Sequence, residues 1–295
     1  MKHLFIINPV AGKGKTLGLI PEIKQYCEGK GYEYEIAATG YPGHATEISK
    51  VHSSEQILRI YSVGGDGTLN EVLNGMAGGK SSLAAIPSGS GNDFIRSILG
   101  ADIPKNLIKA TVEGSERLID YAKVNEKFFI NITSLGFDAE VASQSGHYMK
   151  LPFVTGKMAY VLGIFTSIAR CTNHLMEIKV DDISLSSKTL LAAVGNGKYY
   201  GGGMLALPNA EIDDGLFDIC HVEAMTRMKI LKLFPKYMKG QHALIKGVHL
   251  TRGKKVEITV DRLVPMNLDG EIILLQKAAF EIFPKGLSFI IPKLK

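Results

Sequence analysis

The 295-residue chain is poor in cysteine. Cys27, Cys171 and Cys220 lie far apart and none sits in a CxxC pair. That excludes a disulfide frame and a cysteine-built zinc site, and it fits a reduced, cytoplasmic protein. Long hydrophobic runs are lacking too. The longest candidate, Met158 to Ala169 between Lys157 and Arg170, is twelve residues, whereas a bilayer helix needs about 20. The opening MKHLFIINP offers an apolar run too short for a signal-peptide core and reads as a first strand. No HExxH or clustered histidine pair is present, which argues against a zinc hydrolase. GxSxG is missing, so there is no nucleophile elbow. A GxGxxG followed by a distant acid is missing as well, which argues against a dinucleotide site.

What is there is an ordinary globular composition, with 45% hydrophobic, 8% aromatic and 21% charged residues. Disorder, collagen and coiled coil are excluded. The 34 Lys and Arg exceed the 29 Asp and Glu to give a net charge of +5. Such an excess favours anionic nucleotides or an anionic membrane surface and is too weak for a nucleic-acid binder. The 32 glycines form no short repeat, a pattern of tight turns or of loops that approach a ligand closely.

The length suggests two domains. Over the first 120 residues, strand-like runs (Leu4–Ile7, Tyr34–Ala37, Ile57–Val63, Leu83–Ile86) alternate with helical spacing over 16–30 and from His44. This predicts βαβ units: an α/β N-terminal domain with a mainly parallel sheet and flanking helices. Beyond Asp120 period-two stretches dominate, clearest in Val256-Glu257-Ile258-Thr259-Val260-Asp261. Residues 121–284 therefore read as a β-rich antiparallel sandwich or barrel, with helices over 155–170 and 226–240. No linker separates the halves, so a cleft between two rigidly packed domains is expected.

Two glycine-rich loops carry the chemistry. Gly64-Gly65-Asp66-Gly67-Thr68-Leu69-Asn70-Glu71-Val72 follows an apolar run and opens a helix. Glycines there let backbone N–H groups approach phosphate, and the helix N-terminus adds a favourable dipole. Asp66 would repel bare phosphate, so it suggests a bridging Mg²⁺ or a contact with a donor group; alone, it could equally be a helix cap. Ile86-Pro87-Ser88-Gly89-Ser90-Gly91-Asn92-Asp93-Phe94 repeats the pattern. Two such loops at successive strand ends share the carboxyl edge of one sheet, where open α/β folds bind ligands. A third candidate, Asn8-Pro9-Val10-Ala11-Gly12-Lys13-Gly14-Lys15-Thr16, ends like a P-loop but has Pro9 at the first glycine position, so it is not a Walker A site.

Together these segments resemble the diacylglycerol kinase catalytic-domain family, which includes bacterial soluble lipid kinases and sphingosine kinases and is related more distantly to NAD kinases. Further matches are Thr39-x-x-x-Gly43-His44-Ala45, Gly136-Phe137-Asp138-Ala139, Gly195-Asn196-Gly197, Gly201-Gly202-Gly203-Met204, Pro208-x-Ala210, Asp213-Asp214-Gly215 and Asp269-Gly270-Glu271. The resemblance implies ATP contacts at Asn8, Pro9, Val10, Ala11, Gly12, Thr39, Gly65, Asp66, Gly67, Thr68, Leu69, Asn70, Glu71 and Ser90. It implies that Glu271 is the general base, although Asp-Gly by itself is a common hairpin turn. By the same resemblance Asp66 and Asp93 serve Mg²⁺–ATP, while Glu211, Asp214 and the Leu216 carbonyl hold a structural Mg²⁺. It further implies that 285–295 return to the first domain and that a homodimer forms.

The expected activity is ATP- and Mg²⁺-dependent transfer to a lipid hydroxyl, foremost that of diacylglycerol. A sphingoid base, phosphatidylglycerol, a polyprenol or a soluble acceptor are alternatives, as is a nucleotide-binding regulator without transfer. The membrane-resident acceptor implies peripheral contact with an anionic bilayer. Residues 227–239 are one candidate for that contact: Lys229, Lys232, Lys236 and Lys239 share a helical face, with Ile230, Leu231, Phe234 and Met238 opposite and Pro235 expected to break or kink the helix.

Overall fold

The computed structural model describes residues 1–294 apart from 90, 101–103, 105, 150, 155 and 171, with the side chains at 156, 157 and 160 also outside it. Strands β1 (His3–Ile7), β2 (Tyr34–Ala38), β3 (Arg59–Gly64) and β4 (Ser82–Pro87) run parallel in the spatial order β4-β3-β1-β2. Leu4–Ile7 and Ile60–Val63 are buried without alternation, as a sheet covered on both faces requires. Helices α1 (Ile20–Lys30), α2 (His44–Glu55) and α3 (Asp66–Met76) connect these strands. Helix α1 starts later than its spacing predicts, because Gly12, Lys13 and Gly14 hold positive φ inside a 3₁₀ stretch over Ala11–Leu19. The chain leaves β1 toward β2 and leaves β3 the opposite way toward β4. The carboxyl ends of β1 and β3 therefore flank the point where strand order reverses, the usual ligand crevice of such sheets.

Helices α2 and α3 approach through Gly75. A Cβ there would lie 1.9 Å from Ser49 Oγ and 2.3 Å from the Thr46 carbonyl oxygen. Gly75→Ala should therefore destabilise by roughly 1–3 kcal/mol through overpacking, read as a lower urea midpoint. Gly29→Ala in α1 meets nothing within 4 Å and should leave the midpoint unchanged or raise it, since alanine favours the helix.

Short helices α4 (Asp93–Leu99) and α5 (Leu107–Val112) lead to β5 (Ser115–Val124), β6 (Lys127–Phe129) and β7 (Ile132–Gly136). A helical hairpin follows, α6 (Phe137–Tyr148) and α7 (Gly156–Arg170), then β8 (His174–Val180), β9 (Ile183–Gly195), β10 (Tyr199–Tyr200), β11 (Met204–Leu205) and β12 (Phe217–Glu223). Helix α8 (Arg227–Met238), β13 (Val248–Gly253), β14 (Lys255–Leu268) and β15 (Glu271–Ile291) complete the chain. Strands β9 and β14 are bridged by β7 along one part of their length and by β8 along another, giving a barrel-like antiparallel body. Val256, Ile258 and Val260 all face its core, where the rings of Phe129, Phe217 and Phe280 lie 6.1–6.2 Å apart.

Two helices fall where the spacing put them. Helix α6 does not show in the sequence, because its polar stretch Ala142-Ser143-Gln144-Ser145-Gly146-His147 carries no apolar stripe. Helix α8 runs through Pro235 rather than ending there. Its buried stripe is Ile230, Leu233 and Tyr237, while Leu231 and Met238 face solvent. Strand β15 pairs antiparallel with β14 and β5, and Phe289 near its end pairs in parallel with Leu83 of β4.

Candidate active site

Three backbone bonds extend the parallel ladder past the strand ends. Asn8 N–H donates to the Val63 carbonyl at 3.0 Å, Thr39 N–H to the Ile7 carbonyl at 2.8 Å, and Ser88 N–H to the Gly64 carbonyl at 2.7 Å. Asn8, Thr39, Gly65 and Ser88 thus line one edge. Thr39 carries no signal in composition or periodicity; the register with β1 puts it there. The side chain of Asn8 donates to Thr68 Oγ1 at 3.0 Å, and Val10 N–H returns to Asn8 Oδ1 at 3.1 Å, tying the first loop to the first turn of α3. Pro9, Val10, Ala11 and Gly12 lie on that loop, and Gly12 (φ +58) has no room for a Cβ, which would sit 2.2 Å from the Ser88 carbonyl oxygen.

The two glycine-rich loops touch back to back. A Cβ at Gly89 would stand 2.6 Å from Gly65 Cα, so the approach requires glycine at 89. Asn92 (φ +53) closes the second loop on itself, accepting from Gly89 N–H and donating to the Gly89 carbonyl, both at 3.0 Å. The contact brings the carboxylates of Asp66 and Asp93 to one point: a Cβ at Gly91 would lie 3.0 Å from Asp66 Oδ2 and 3.2 Å from Asp93 Oδ2. Asp66 Oδ1 accepts the Phe94 N–H at 3.3 Å.

Asp93 is buried. Its Oδ2 accepts the Gly202 N–H at 2.8 Å, while Oδ1 has no hydrogen-bond partner among the described residues. Burial pushes its carboxyl up to about 6, with the Asp66 charge adding to the rise. Such a carboxylate is costly in a purely structural role and suits a ligand that brings positive charge.

The other residues of the α3 segment divide by direction. Gly67 is exposed at the helix start, and Thr68 holds Asn8. Leu69 is in the core. Glu71 Oε2 accepts the Ala45 N–H at 3.2 Å, so its carboxylate caps α2. Ser90 lies outside the described residues.

Asn70 faces the second domain. Its Nδ2 donates to Asp269 Oδ2 at 3.1 Å and to the Phe128 carbonyl at 3.0 Å. Asp66 and Asn70 are four residues apart on α3 and share a face, so the Asp269-Gly270 turn sits beside the carboxylate pair. Asp269 (φ +45) and Gly270 (φ +101) form the tight β14–β15 turn that the dipeptide suggests. Asp269 does more than turn the chain: it also accepts Ile130 N–H at 2.9 Å on Oδ2 and Ile132 N–H at 3.1 Å on Oδ1. Burial nonetheless pushes its carboxyl up to about 6. Glu271 opens β15 just past the turn, half exposed and ion-paired with Lys127 at 3.1 Å.

Glu211, Asp214 and Leu216 lie on the loop before β12. Asp214 Oδ1 accepts the Leu216 N–H at 3.0 Å, and its other oxygen pairs with Arg252 Nη2. Arg252 Nε also reaches Asp218 Oδ2 at 3.1 Å, and Arg117 Nε reaches Asp213 at 3.0 Å. Both Asp214 oxygens are engaged and a guanidinium neutralises the loop, so in this arrangement it does not fit a divalent cation. No group of three or more His, Cys, Asp or Glu placed to hold a metal occurs among the described residues.

Behind the β10–β11 hairpin lies an apolar cavity lined by Phe137, Val141, Leu191, Tyr200, Ile230 and Leu233. Tyr200 is two residues from Gly202, the donor to Asp93. Asp138 also lines the cavity, and burial pushes its carboxyl up to about 6 against the support of Ser134 and Tyr200. No helix among the described residues is long and apolar enough to cross a membrane.

Residues 2–124 match the model of the diacylglycerol kinase catalytic domain, and 131–291 match the YegS C-terminal NAD kinase beta sandwich-like domain. The chain is 30% identical over 271 residues to a diacylglycerol kinase of Staphylococcus carnosus (strain TM300), covering 90% of this chain and 87% of the relative. It is 28% identical over 302 residues to a diacylglycerol kinase of Bacillus subtilis (strain 168), covering 100% and 98%. In fold it is similar to a diacylglycerol kinase crystal structure from Bacillus anthracis str. Sterne, with TM-score 0.72, 23% identity and coverage of 98% and 96%. An α/β domain with paired glycine loops, a β-barrel-like partner and these likenesses along the whole length have one reading: the chain belongs to the diacylglycerol kinase family and is a lipid kinase.

Proposed function

We propose that this kinase transfers the γ-phosphoryl group of Mg²⁺–ATP to the free hydroxyl of diacylglycerol, giving phosphatidic acid and ADP. The observation that carries this reading is the pair Asp66 and Asp93, brought together by glycine–glycine contact past the ends of β3 and β4, beside the sheet's reversal point, and faced by the Glu271 turn. The nucleotide phosphates lie against Gly12, Gly65 and Gly67, where no side chain blocks backbone N–H groups and the α3 dipole favours negative charge.

A divalent cation fits beside them: the donors are carboxylate oxygens, and Asp93 Oδ1 is buried without a partner among the described residues. When bound, that cation neutralises phosphate charge. Glu271 accepts the proton of the acceptor hydroxyl as its oxygen attacks the γ-phosphorus, and the bond to the β-phosphate oxygen breaks with release of ADP. Two curated relatives named diacylglycerol kinase support this acceptor over the other lipids.

The test supplies γ-labelled ATP and mixed micelles of each candidate lipid in turn. Label should appear in phosphatidic acid, and Glu271→Gln should lower kcat by roughly 10²–10⁴-fold, the span of general-base catalysis, with ATP affinity retained. Label in another lipid alone would replace the acceptor. A Glu271→Gln enzyme as fast as wild type would remove the base.

A further inference from the structure

We infer that the α6–α7 hairpin, flanked by α8, is the face on which the enzyme settles into an anionic phospholipid bilayer. The inference rests on the lipid-kinase reading only for the need to reach a membrane; its evidence is separate. Helix α7 is apolar on the wrong side for a solvated helix. Met158, Val161, Leu162 and Phe165, at i, i+3, i+4 and i+7, are 50, 48, 40 and 61% exposed. Its inner face is fixed by close packing on α6, because a Cβ at Gly163 would lie 2.5 Å from Ser145 Oγ and 2.8 Å from the Val141 carbonyl oxygen. Rotation of α7 therefore cannot bury the outer stripe. At the hairpin tip Phe153 is 98% exposed and held at φ +67, a conformation a side-chain-bearing residue adopts at a cost. A soluble surface gains nothing from that, and contiguous apolar exposure marks an interaction site.

Charge selects the occupant. Between Glu140 and Glu177 there is no acidic residue, but there are Lys150, Lys157 and Arg170. Between Glu223 and Glu257 there is again no acidic residue, but there are nine Lys and Arg. These two stretches hold 12 of the 34 basic residues and none of the 29 acidic ones, so the remainder of the chain, 22 basic against 29 acidic, is net negative. The stretches meet in space: Ile168 of α7 and Ile230, Leu233 and Tyr237 of α8 share one core cluster. The lysines of α8, Lys229, Lys232, Lys236 and Lys239, are all exposed. An apolar wedge beside a wholly basic helix is what an anionic lipid surface binds. A second copy meeting this face with its own would bring the same positive field and be repelled.

Flotation with phosphatidylcholine vesicles, with and without phosphatidylglycerol, tests this on the full-length enzyme. Wild type should bind the anionic vesicles and release in high salt. The double variant Phe153→Asp/Phe165→Asp, at exposed positions, should lose at least about tenfold in partitioning. Lys229→Glu/Lys232→Glu should lose about as much, on anionic vesicles only. Both should phosphorylate a monomerically dispersed short-chain diacylglycerol at the wild-type rate. A phenylalanine variant that binds vesicles like wild type overturns the inference, as does a wild type that binds none. So does a face whose substitution only converts a dimer to a monomer. Vesicle binding without label in the short-chain lipid would sink the acceptor assignment and leave this inference standing.

Discussion

Asp93→Asn should leave the fold intact and lower phosphoryl transfer on the order of 10²–10³-fold, the loss typical of removing one preorganised electrostatic group from an active site. The amide oxygen can still accept the Gly202 N–H that Asp93 Oδ2 accepts at 2.8 Å. What disappears is the negative charge beside Asp66, and with it the buried Oδ1 that has no partner among the described residues. Removing one of two neighbouring carboxylates relieves repulsion, so the melting temperature should hold or rise while activity collapses.

The same carboxyl sets a pH dependence. Burial raises it from 3.8 to about 6, so the folded, ligand-free protein holds this proton to higher pH than the unfolded chain does. Its contribution to stability is therefore present below about 4 and is lost as pH rises through about 6. A cationic ligand needs the ionised form, so Mg²⁺–ATP affinity should fall up to tenfold per unit below pH 6 and level off above it. Titration calorimetry across that range reads the affinity and urea midpoints read the stability, each on wild type and Asp93→Asn. A variant with undiminished activity, or a flat affinity profile in wild type, would contradict the role given to Asp93.

Asp269→Asn should act on stability. Asp269 spends its two oxygens on three donors: Ile130 N–H, Ile132 N–H and Asn70 Nδ2. Asparagine supplies one carbonyl oxygen and turns an NH₂ toward the remaining donor, whichever way it flips. A buried N–H then loses its partner and a donor faces a donor, at a cost of roughly 2–4 kcal/mol. Because Asn70 stands on α3 and Ile130 and Ile132 open the second domain, the loss falls on the seam between the halves. The urea midpoint should drop, and Glu271, two residues on, should lose its position, so kcat should fall as well. An unchanged midpoint would show that the turn holds without its carboxylate.

The parallel half of the fold was legible because its strands are unbroken apolar runs and its site loops are marked by glycine. The contact of Gly65 with Gly89 follows from two such loops ending neighbouring strands. The antiparallel half was legible where burial alternates, as over Val256–Val260. Legibility ended where function rests on distant partners. The Asp269 side chain finds Asn70, 199 positions earlier, and Ile130, 139 positions earlier, and no local pattern announces either. Thr39 enters the site through register with β1, and Glu71 leaves it for the N-terminus of α2. The outward stripe of α7 was hidden for the opposite reason. Its spacing is that of any amphipathic helix, and only the Gly163 contact shows which side faces the core.

Strand β15 has a consequence for how the protein is made. It is synthesised long after β4 and β5, yet it pairs with β4 of the first sheet and with β5 and β14 of the second body. While the nascent chain emerges, β4 stays an open edge at Leu83, and the surfaces that later cover Phe289 remain bare. Unpaired edges of this kind recruit other chains, and pairing over so long a loop is slow. The catalytic half therefore has no early life as an independent unit. Its sheet closes only when β15 arrives, so translation that stalls before Phe289 leaves an aggregation-prone product and no half-enzyme.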